Sequence, residues 1–375
     1  MYIVVTDCEY RAAVSLVQAL GEAGHTLILC HSRDMAIDPP AFHSRYAAAC
    51  HEIDAKVSEP AYLDALEAIC RACPEMPVLL PAGAKTTALI AREQARFDRF
   101  AKTLVAPANV LDAANDKETV QRVAAGIGVP TPKTYTGTPD AFPVIVKPRC
   151  GEKLGLKAEK RYARADNAAE FAAVYAKMKT YDNTPVVQAY IAGEGVGVCA
   201  VLDKDGNPAA VLCHRRVREY PVSGGPSSCC ESVSRSDLLA FSEALVQETG
   251  FTGPAMFEFK CAADGSPRLL EVNPRVWGTF PLTRSAKTDF AYSWFCLAAN
   301  LPLPEEVPAQ HVKMAYYPAD FAAGLGYLKA GQPGRFFAAA ADFLSPCVKN
   351  GIADPKDPAP AQVYFRNLFH RGGHK

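Results

Sequence analysis

Residues 255–275 read AMFEFKCAADGSPRLLEVNPR, and the placement of this stretch decides the fold. Two segments rich in apolar residues flank Asp264-Gly265, a dipeptide that favours tight hairpin turns. With those two residues at the turn centre, Glu258 on the first strand lies directly across from Glu271 on the second. Alternation then places Met256, Glu258, Lys260, Leu269, Glu271 and Asn273 on one face, and Phe257, Phe259, Leu270 and Val272 on the other. Carboxylates directly opposite each other sit roughly 5 Å apart at Cβ and repel. A cation between them removes the repulsion. Two carboxylates and an Asn carbonyl make a hard oxygen set suited to Mg²⁺ and the phosphates it carries. The alternative is an exposed hairpin face on which both glutamates meet only solvent. Pro267, near the turn, points to a longer loop. A symmetric four-residue loop keeps the same pairing, whereas a one-residue slip sends Glu271 to the opposite face.

The 375 residues leave room for two or three domains and a large core. Lys+Arg and Asp+Glu are equal at 40 each, so the electrostatic footprint of a nucleic-acid binder is missing. No polybasic run suits an anionic membrane, and no apolar stretch reaches transmembrane length. The opening MYIVVTD lacks the charged region and long apolar run of a secretory signal, and 13 cysteines without one point to reduced thiols in a cytosol. A cytoplasmic protein is expected. Cys70 and Cys73 form a lone C-x-x-C in an alanine-rich helical stretch, with no second pair at zinc-finger spacing, and read as core thiols.

Towards the N-terminus, the apolar run at 2–7, the helical spacing over 11–23, Gly24 and a second apolar run at 25–30 compose a βαβ unit with a parallel sheet. The pattern continues with helices near 61–72 and 84–95, strands at 77–81 and 103–107, and a linker at 109–116. The class is α/β, with a Rossmann-like half-domain over roughly the first 110 residues. Its first turn, Thr6-Asp7-Cys8-Glu9, is not the glycine fingerprint of a dinucleotide site, and PAGAKTT is not a Walker loop. This domain therefore serves as support and as one wall of a cleft.

Further along, Asp116 caps a helix over DKETVQRVAAGIG, and FPVIVKP is a strand with Lys147 near its end. The loop CGEKLGLKAEKR follows, with Lys153, Lys157, Lys160, Arg161 and, just upstream, Arg149. A basic glycine loop beside a strand lysine suits a lid over a triphosphate, with a solvated surface hairpin as the alternative. Gly193, Gly195 and Gly197 alternate, which leaves one strand face bare for an adenine ring or for close packing of a neighbouring element. The segment from His214 to Ser228 reads as a shaped polar loop in which Arg215, Arg216 and Arg218 can grip an anion beside Gly224-Gly225. Beyond Asn300 the sequence offers one helix near 333–344 and a weakly structured tail.

PVIVKP, VVQAYIAGEG, FEF and LLEVNPR occur in the order and at the separations of the ATP-grasp superfamily, which the chain resembles over about 115–300. Residues 1–110 are similar to the pre-ATP-grasp domain. The likeness is closest to stand-alone carboxylate–amine ligase-like members similar to carbamoyl-phosphate synthase, which carry segments comparable to RRVREYPVSGG and NPRVWG. The resemblance implies a pre-ATP-grasp domain over 1–112, a two-subdomain ATP-grasp domain over 113–302 with its lid at about 115–187, and a C-terminal extension over 303–375. It implies that Lys117, Lys147 and Gly151 contact ATP phosphates, and that Gln188 with the Tyr190-Ile191 backbone holds adenine. Glu194 is the acid nearest the ribose position of relatives, offset from it. Glu258, Glu271 and Asn273 would hold Mg²⁺, with Mn²⁺ as a substitute, and Arg275 would stabilise the transferring phosphoryl group. Arg215, Arg216 and Arg218 are the candidates for holding the acceptor carboxylate or acyl phosphate, with the Gly224-Gly225 loop closing over it.

The implied activity is a ligase reaction in two steps, carboxylate to acyl phosphate and then capture by an amine. Its partners would be a small-molecule carboxylate and amine, with no nucleic acid and no membrane; the sequence leaves the oligomeric state open, and a homodimer is compatible with it. A nucleotide-binding regulatory protein and a carboxyphosphate-forming enzyme are the competing readings. A lid poorer in glycine than that of carboxylases disfavours biotin carboxylase.

Overall fold

The computed structural model describes residues 1–33, 37–54, 58–150, 156 and 160–371. Strand β1 (Tyr2–Val5), helix α1 (Arg11–Glu22) and strand β2 (Thr26–Ser32) realise the expected βαβ unit. Gly24, at φ 82°, takes the left-handed turn after the helix. There follow β3 (Ala47–Ile53), α2 (Glu59–Arg71), β4 (Val78–Leu80), α3 (Ala84–Arg92), α4 (Gln94–Phe97) and α5 (Ala108–Asn115). The strands pair in parallel in the order β3-β2-β1-β4.

Two expectations fail here, and strand β3, which the sequence reading passed over, is an edge strand of which only the last residue, Ile53, is buried. The stretch 103–107 is not a strand; its neighbour Lys102 makes one isolated bridge to Val78, and the Leu104 carbonyl accepts from the Trp294 indole at 2.9 Å. The expected linker at 109–116 is mostly helix α5.

The second layer begins with α6 (Lys117–Gly126), whose N-cap Asp116 accepts from the amides of Glu118 and Thr119. Strands β5 (Thr134–Tyr135), β6 (Val144–Lys147), β7 (Ala163–Ala165) and β8 (Val186–Ala189), with α7 (Ala168–Lys179), form an antiparallel sheet ordered β5-β8-β6-β7. This small sheet carries Lys147 at the end of β6.

The largest sheet is built from β9 (Gly193–Leu202), β10 (Pro208–Glu219), β11 (Ser227–Val233), β12 (Gly253–Ala262) and β13 (Pro267–Asn273), with α8 (Ser236–Thr249) between β11 and β12. After β13 come α9 (Pro281–Ser285), α10 (Phe290–Ala299), β14 (Lys313–Ala315), α11 (Ala319–Lys329), α12 (Pro333–Leu344), β15 (Val348–Asn350) and α13 (Ala359–Arg371). The sheet order is β13-β12-β9-β10-β11-β14-β15. The C-terminal region is thus not a weakly structured tail. It adds two strands to the central sheet and supplies three helices where one was expected. Arg215, Arg216 and Arg218 lie on strand β10 rather than in a loop, and only the segment between Glu219 and Ser227 is irregular.

The two large sheets share their cores. Ile3 and Val5 pack with Leu16 and Leu20 of α1, Cys199 and Met256 of the central sheet, and Trp277 and Trp294. Val4 and Leu79, on the other face, join Leu66, Ile90 and Phe97 with Val198, Phe257, Phe259 and Leu269. Shared burial on both faces fixes the hairpin of β12 and β13 against the parallel domain. Among the described residues no helix is long and apolar enough to cross a membrane.

Candidate active site

The hairpin pairs Glu258 with Glu271, by a route that a symmetric turn does not provide. The Ala262 amide donates to Ser266 O and the Gly265 amide to Ala262 O, so the connection is a three-residue loop with Gly265 at φ 83°. Near this loop Cys261 faces Pro267 and Phe259 faces Leu269. A bulge between Phe259 and Glu258 then inserts Leu270 and brings Glu271 opposite Glu258. Leu269, expected beside the acids, is instead fully buried on the apolar face, and Leu270 is the bulged residue. The bulge presents main-chain oxygens to the neighbouring layer. Gln121 Nε2 donates to Leu269 O at 2.7 Å and to Leu270 O at 3.2 Å, and Lys147 Nζ reaches Leu270 O at 3.4 Å.

Cations ring the two acids. Lys117 Nζ lies 3.0 Å from Glu271 Oε2, and Arg216 Nη2 lies 2.7 Å from Glu258 Oε2. Lys147 is only 8% exposed and acts electrostatically on both glutamates. Burial, with Lys117 beside it, pulls the Lys147 ammonium down to about 8. Burial pushes the Glu271 carboxyl up, but Lys117 and Lys147 outweigh it and hold the group well below the usual carboxylate range. Glu258 moves the other way, raised by burial and by Glu271 despite Arg216. Facing acids with opposed shifts, set among three cations, form a dense electrostatic cluster on one face of the hairpin.

The alternating glycines are filled by the neighbouring strand. A Cβ on Gly195 would lie 2.9 Å from Arg216 Cδ, and one on Gly197 would lie 2.5 Å from His214 Cε1. Of the two readings of these glycines, this structure shows the close-packing one. Gly197 pairs with Glu258 on one side and His214 on the other, so the bare position lies in the same row as the acidic pair. His214 is a site neighbour that the sequence reading passed over. It is 2% exposed, with Nε2 3.1 Å from Thr279 Oγ1 and Nδ1 3.5 Å from Cys199 Sγ, and burial with Arg216 nearby lowers it to about 3. The imidazole is neutral at ordinary pH.

Other expected site residues scatter. Arg218 belongs to a different place from Arg216, because Arg216 faces Cys230 while Arg218 faces Cys229. The extra residue, Val217, turns Arg218 to the opposite face. There Arg218 is 3% exposed and bonds Asp320 through Nε and Nη2 and Asp342 through Nη1. Arg215 pairs with Glu231 and with Glu194, which is exposed. Gln188 is buried and donates to Thr134 Oγ1 at 3.2 Å, so its amide is turned into the small sheet. The Tyr190 amide is taken by Pro143 O at 3.0 Å, and its ring lies 4.3 Å from the Arg164 guanidinium. Ile191, half-buried, follows at the entry to β9. Arg275 sits against Asn273, with Nη2 3.5 Å from Asn273 Oδ1 and Nη1 donating to Val276 O at 2.8 Å. Gly151, Lys153 and Lys157 lie outside the described residues.

Two contacts tie the small sheet to this site. Arg149 reaches Asp116 and Glu118 at the start of α6, at 2.5 and 2.8 Å, so it clamps the end of β6 to that helix. Tyr162 donates to Ser223 O at 3.1 Å, across from the loop that holds Gly224-Gly225. Cys70 is buried, which pushes its thiol up to about 12, and Cys73 is half-buried and also raised. Neither is an activated nucleophile.

Residues 182–317 match the family model described as ATP-grasp in the biosynthetic pathway with Ter operon. No curated protein matches the chain. Similar solved structures include a biotin carboxylase in complex with β,γ-ATP from Campylobacter jejuni, at 16% identity and TM-score 0.65, covering 83% of this chain and 74% of that one. An L-amino acid ligase from Bacillus licheniformis is 14% identical with TM-score 0.61, over 83% and 78% of the two chains. The biotin carboxylase domain of 2-oxoglutarate carboxylase from Hydrogenobacter thermophilus, solved with MgADP and bicarbonate, is 14% identical with TM-score 0.64, over 83% and 72%. The chain has the ATP-grasp fold. Within that fold, the segment matched to the family model holds the hairpin, Arg216 and the alternating glycines, while Lys117 and Lys147 reach the site from the part preceding it.

Proposed function

We propose that this ATP-grasp protein is an ATP-dependent ligase that activates a carboxylate as an acyl phosphate, releases ADP and joins the acyl group to an amine. The observation that carries the reading is the Glu258–Glu271 pair with Lys117, Lys147 and Arg216 gathered around it. Two carboxylates and the Asn273 carbonyl at the end of the same strand fit a hard divalent cation, Mg²⁺ or Mn²⁺. Bound there by Glu258, Glu271 and Asn273, the ion would neutralise phosphate charge. Lys117 and Lys147 would contact the phosphates of ATP. The Lys117–Glu271 ion pair holds the ammonium in place beforehand, so its reorganisation on binding is small.

The substrate carboxylate attacks the γ-phosphorus, the bond to the β-phosphate oxygen breaks, and ADP departs with that electron pair. Arg216, held by Glu258 and Glu219, would stabilise the charge on the acyl phosphate, with Arg275 beside Asn273 as a second cation. An amine then attacks the acyl carbon and inorganic phosphate leaves. Arg218 is given no part, because its donors are committed to Asp320 and Asp342. Adenine would be held by the backbone at Tyr190 and Ile191, where the Tyr190 amide is already used and its carbonyl and the next amide are the groups in question. Glu194, offset from the ribose position of relatives and paired with Arg215, would be the acid nearest the ribose.

The deciding measurement is ADP release across a panel of carboxylic acids, with and without amines. Turnover that needs both an acid and an amine, and that Glu271→Gln abolishes, supports a ligase. ATP binding without ADP release across the panel rejects it in favour of a regulatory nucleotide-binding protein. ADP release stimulated by bicarbonate alone rejects it in favour of carboxyphosphate chemistry.

A further inference from the structure

Helices α11 and α12 form a hairpin with its polarity reversed. Its two acids, Asp320 and Asp342, point inward. Asp320 accepts from Arg218 through both oxygens, at 2.8 and 2.7 Å, and from Ser228 Oγ at 3.0 Å. Asp342 accepts from Arg218 Nη1 at 2.7 Å and pairs with Lys313 Nζ at 2.6 Å. The outward surface is apolar instead. On α11, Phe321, Leu325 and Leu328 recur at helical spacing and are 44%, 53% and 45% exposed. On α12, Phe337, Phe343 and Leu344 are 65%, 49% and 80% exposed. The rings of Phe321 and Phe343 lie 4.5 Å apart and both pack on Tyr317, so the two stripes join. A Cβ on Gly324 would sit 3.4 Å from Ala339 Cβ, which shows how closely the helices approach.

With about 200 Å² for a whole Phe side chain and somewhat less for Leu, these six residues expose roughly 600 Å² of apolar surface. That matches the upper end, about 300–600 Å², for the largest patch on an ordinary monomer. Two copies set face to face would cover roughly 1,200 Å², the lower bound of a standard stable interface. The charge pattern favours a like partner over a charged one. The hairpin's acids are turned inward and its basic residues, Lys329 and Arg335, lie near its tip, so the centre of the patch offers a charged surface nothing to pair with. The chain's net charge of zero removes long-range repulsion between copies and attraction to anionic lipid.

We propose that the α11–α12 hairpin docks on the same hairpin of a second copy, related by a two-fold axis, to give a four-helix layer between protomers. The docked layer backs directly onto Arg218, two residues from Arg216, so it braces the strand that carries the site's arginine. Sedimentation of the full chain tests this, with a dimer expected at twice 40.3 kDa. Leu325→Glu and Leu344→Glu, exposed residues on different helices, are each expected to weaken dimerisation at least tenfold while circular dichroism and melting stay unchanged. If one variant misfolds, the other still decides. A wild-type protein that stays monomeric up to about 50 µM overturns the proposal. So does a dimer that both glutamates leave intact, or a monomer that floats with phospholipid vesicles.

Discussion

Arg216 crosses β9 over the bare backbone of Gly195, and its Nη2 lies 2.7 Å from Glu258 on the next strand. The glycine is what lets an arginine from β10 reach an acid two strands away. Gly195→Val places methyl groups where the Arg216 stem now lies, and the flexible side chain must swing aside. The expected result is a fall in kcat of about 10- to 100-fold with the melting temperature nearly unchanged. Equal kcat for variant and wild type would show that Arg216 is not needed at this position.

Gly197 makes the converse case. Its missing Cβ would lie 2.5 Å from His214 Cε1, and that ring is held between Thr279 and Cys199. Here the obstacle is a buried ring, and Gly197→Ala is expected to cost about 1–3 kcal/mol of stability. Urea unfolding measures it. A cost of only a few tenths would mean that the ring has somewhere else to go.

Arg218 should behave as a structural residue although it is two positions from Arg216. Removing it strands Asp320, which is 1% exposed, and Arg218→Leu is expected to lose about 3–5 kcal/mol. The double variant Arg218→Leu with Asp320→Leu should recover most of that loss, since no buried charge is then left alone. Arg216→Met should show the reverse weighting, with turnover lost and a smaller fall in the unfolding midpoint, because Glu258 is less deeply buried than Asp320 and keeps Lys147 as a neighbouring cation. Comparing the unfolding midpoints and turnover of these variants separates the two arginines.

These contrasts bear on how far the sequence reading carries. The acidic pair, Lys147 and the α/β start follow from local patterns, a turn dipeptide, period-two alternation and helical spacing, whereas Lys117 follows only from the family resemblance. The Glu258–Glu271 pairing emerges because two irregularities cancel, a three-residue turn and the bulge at Leu270. Neither is visible in the pattern, and Leu269 and Leu270 exchange roles as a result. Arg218 fails for the same reason, since one extra residue at Val217 reverses the face and no propensity marks that bulge. The alternating glycines announce close approach, but whether by a ligand or a side chain depends on β10 pairing with β9, a tertiary fact. Helix α12 is legible over 333–344, but α11 hides because it has no polar outer face to reveal its period.

Lys147 provides a test by pH. Its ammonium titrates near 8 in the folded protein against an ordinary 10.5, because burial and Lys117 disfavour the charge. Between those values the unfolded chain binds more protons at this site than the folded one, so the group makes stability rise with pH across that window. Its stabilising contribution is present above the ordinary value and is lost as pH falls through the folded one. Lys147→Met removes this slope. The difference in unfolding midpoint between wild type and variant should therefore shift in favour of wild type from pH 8 to pH 10, a comparison in which the cysteines and tyrosines cancel. A difference that is flat with pH would mean that Lys147 keeps its ordinary affinity for the proton and is not held in the dry environment described above. Glu271 works against burial by favouring the ammonium, so Glu271→Gln should start the rise at lower pH and widen the window over which it runs.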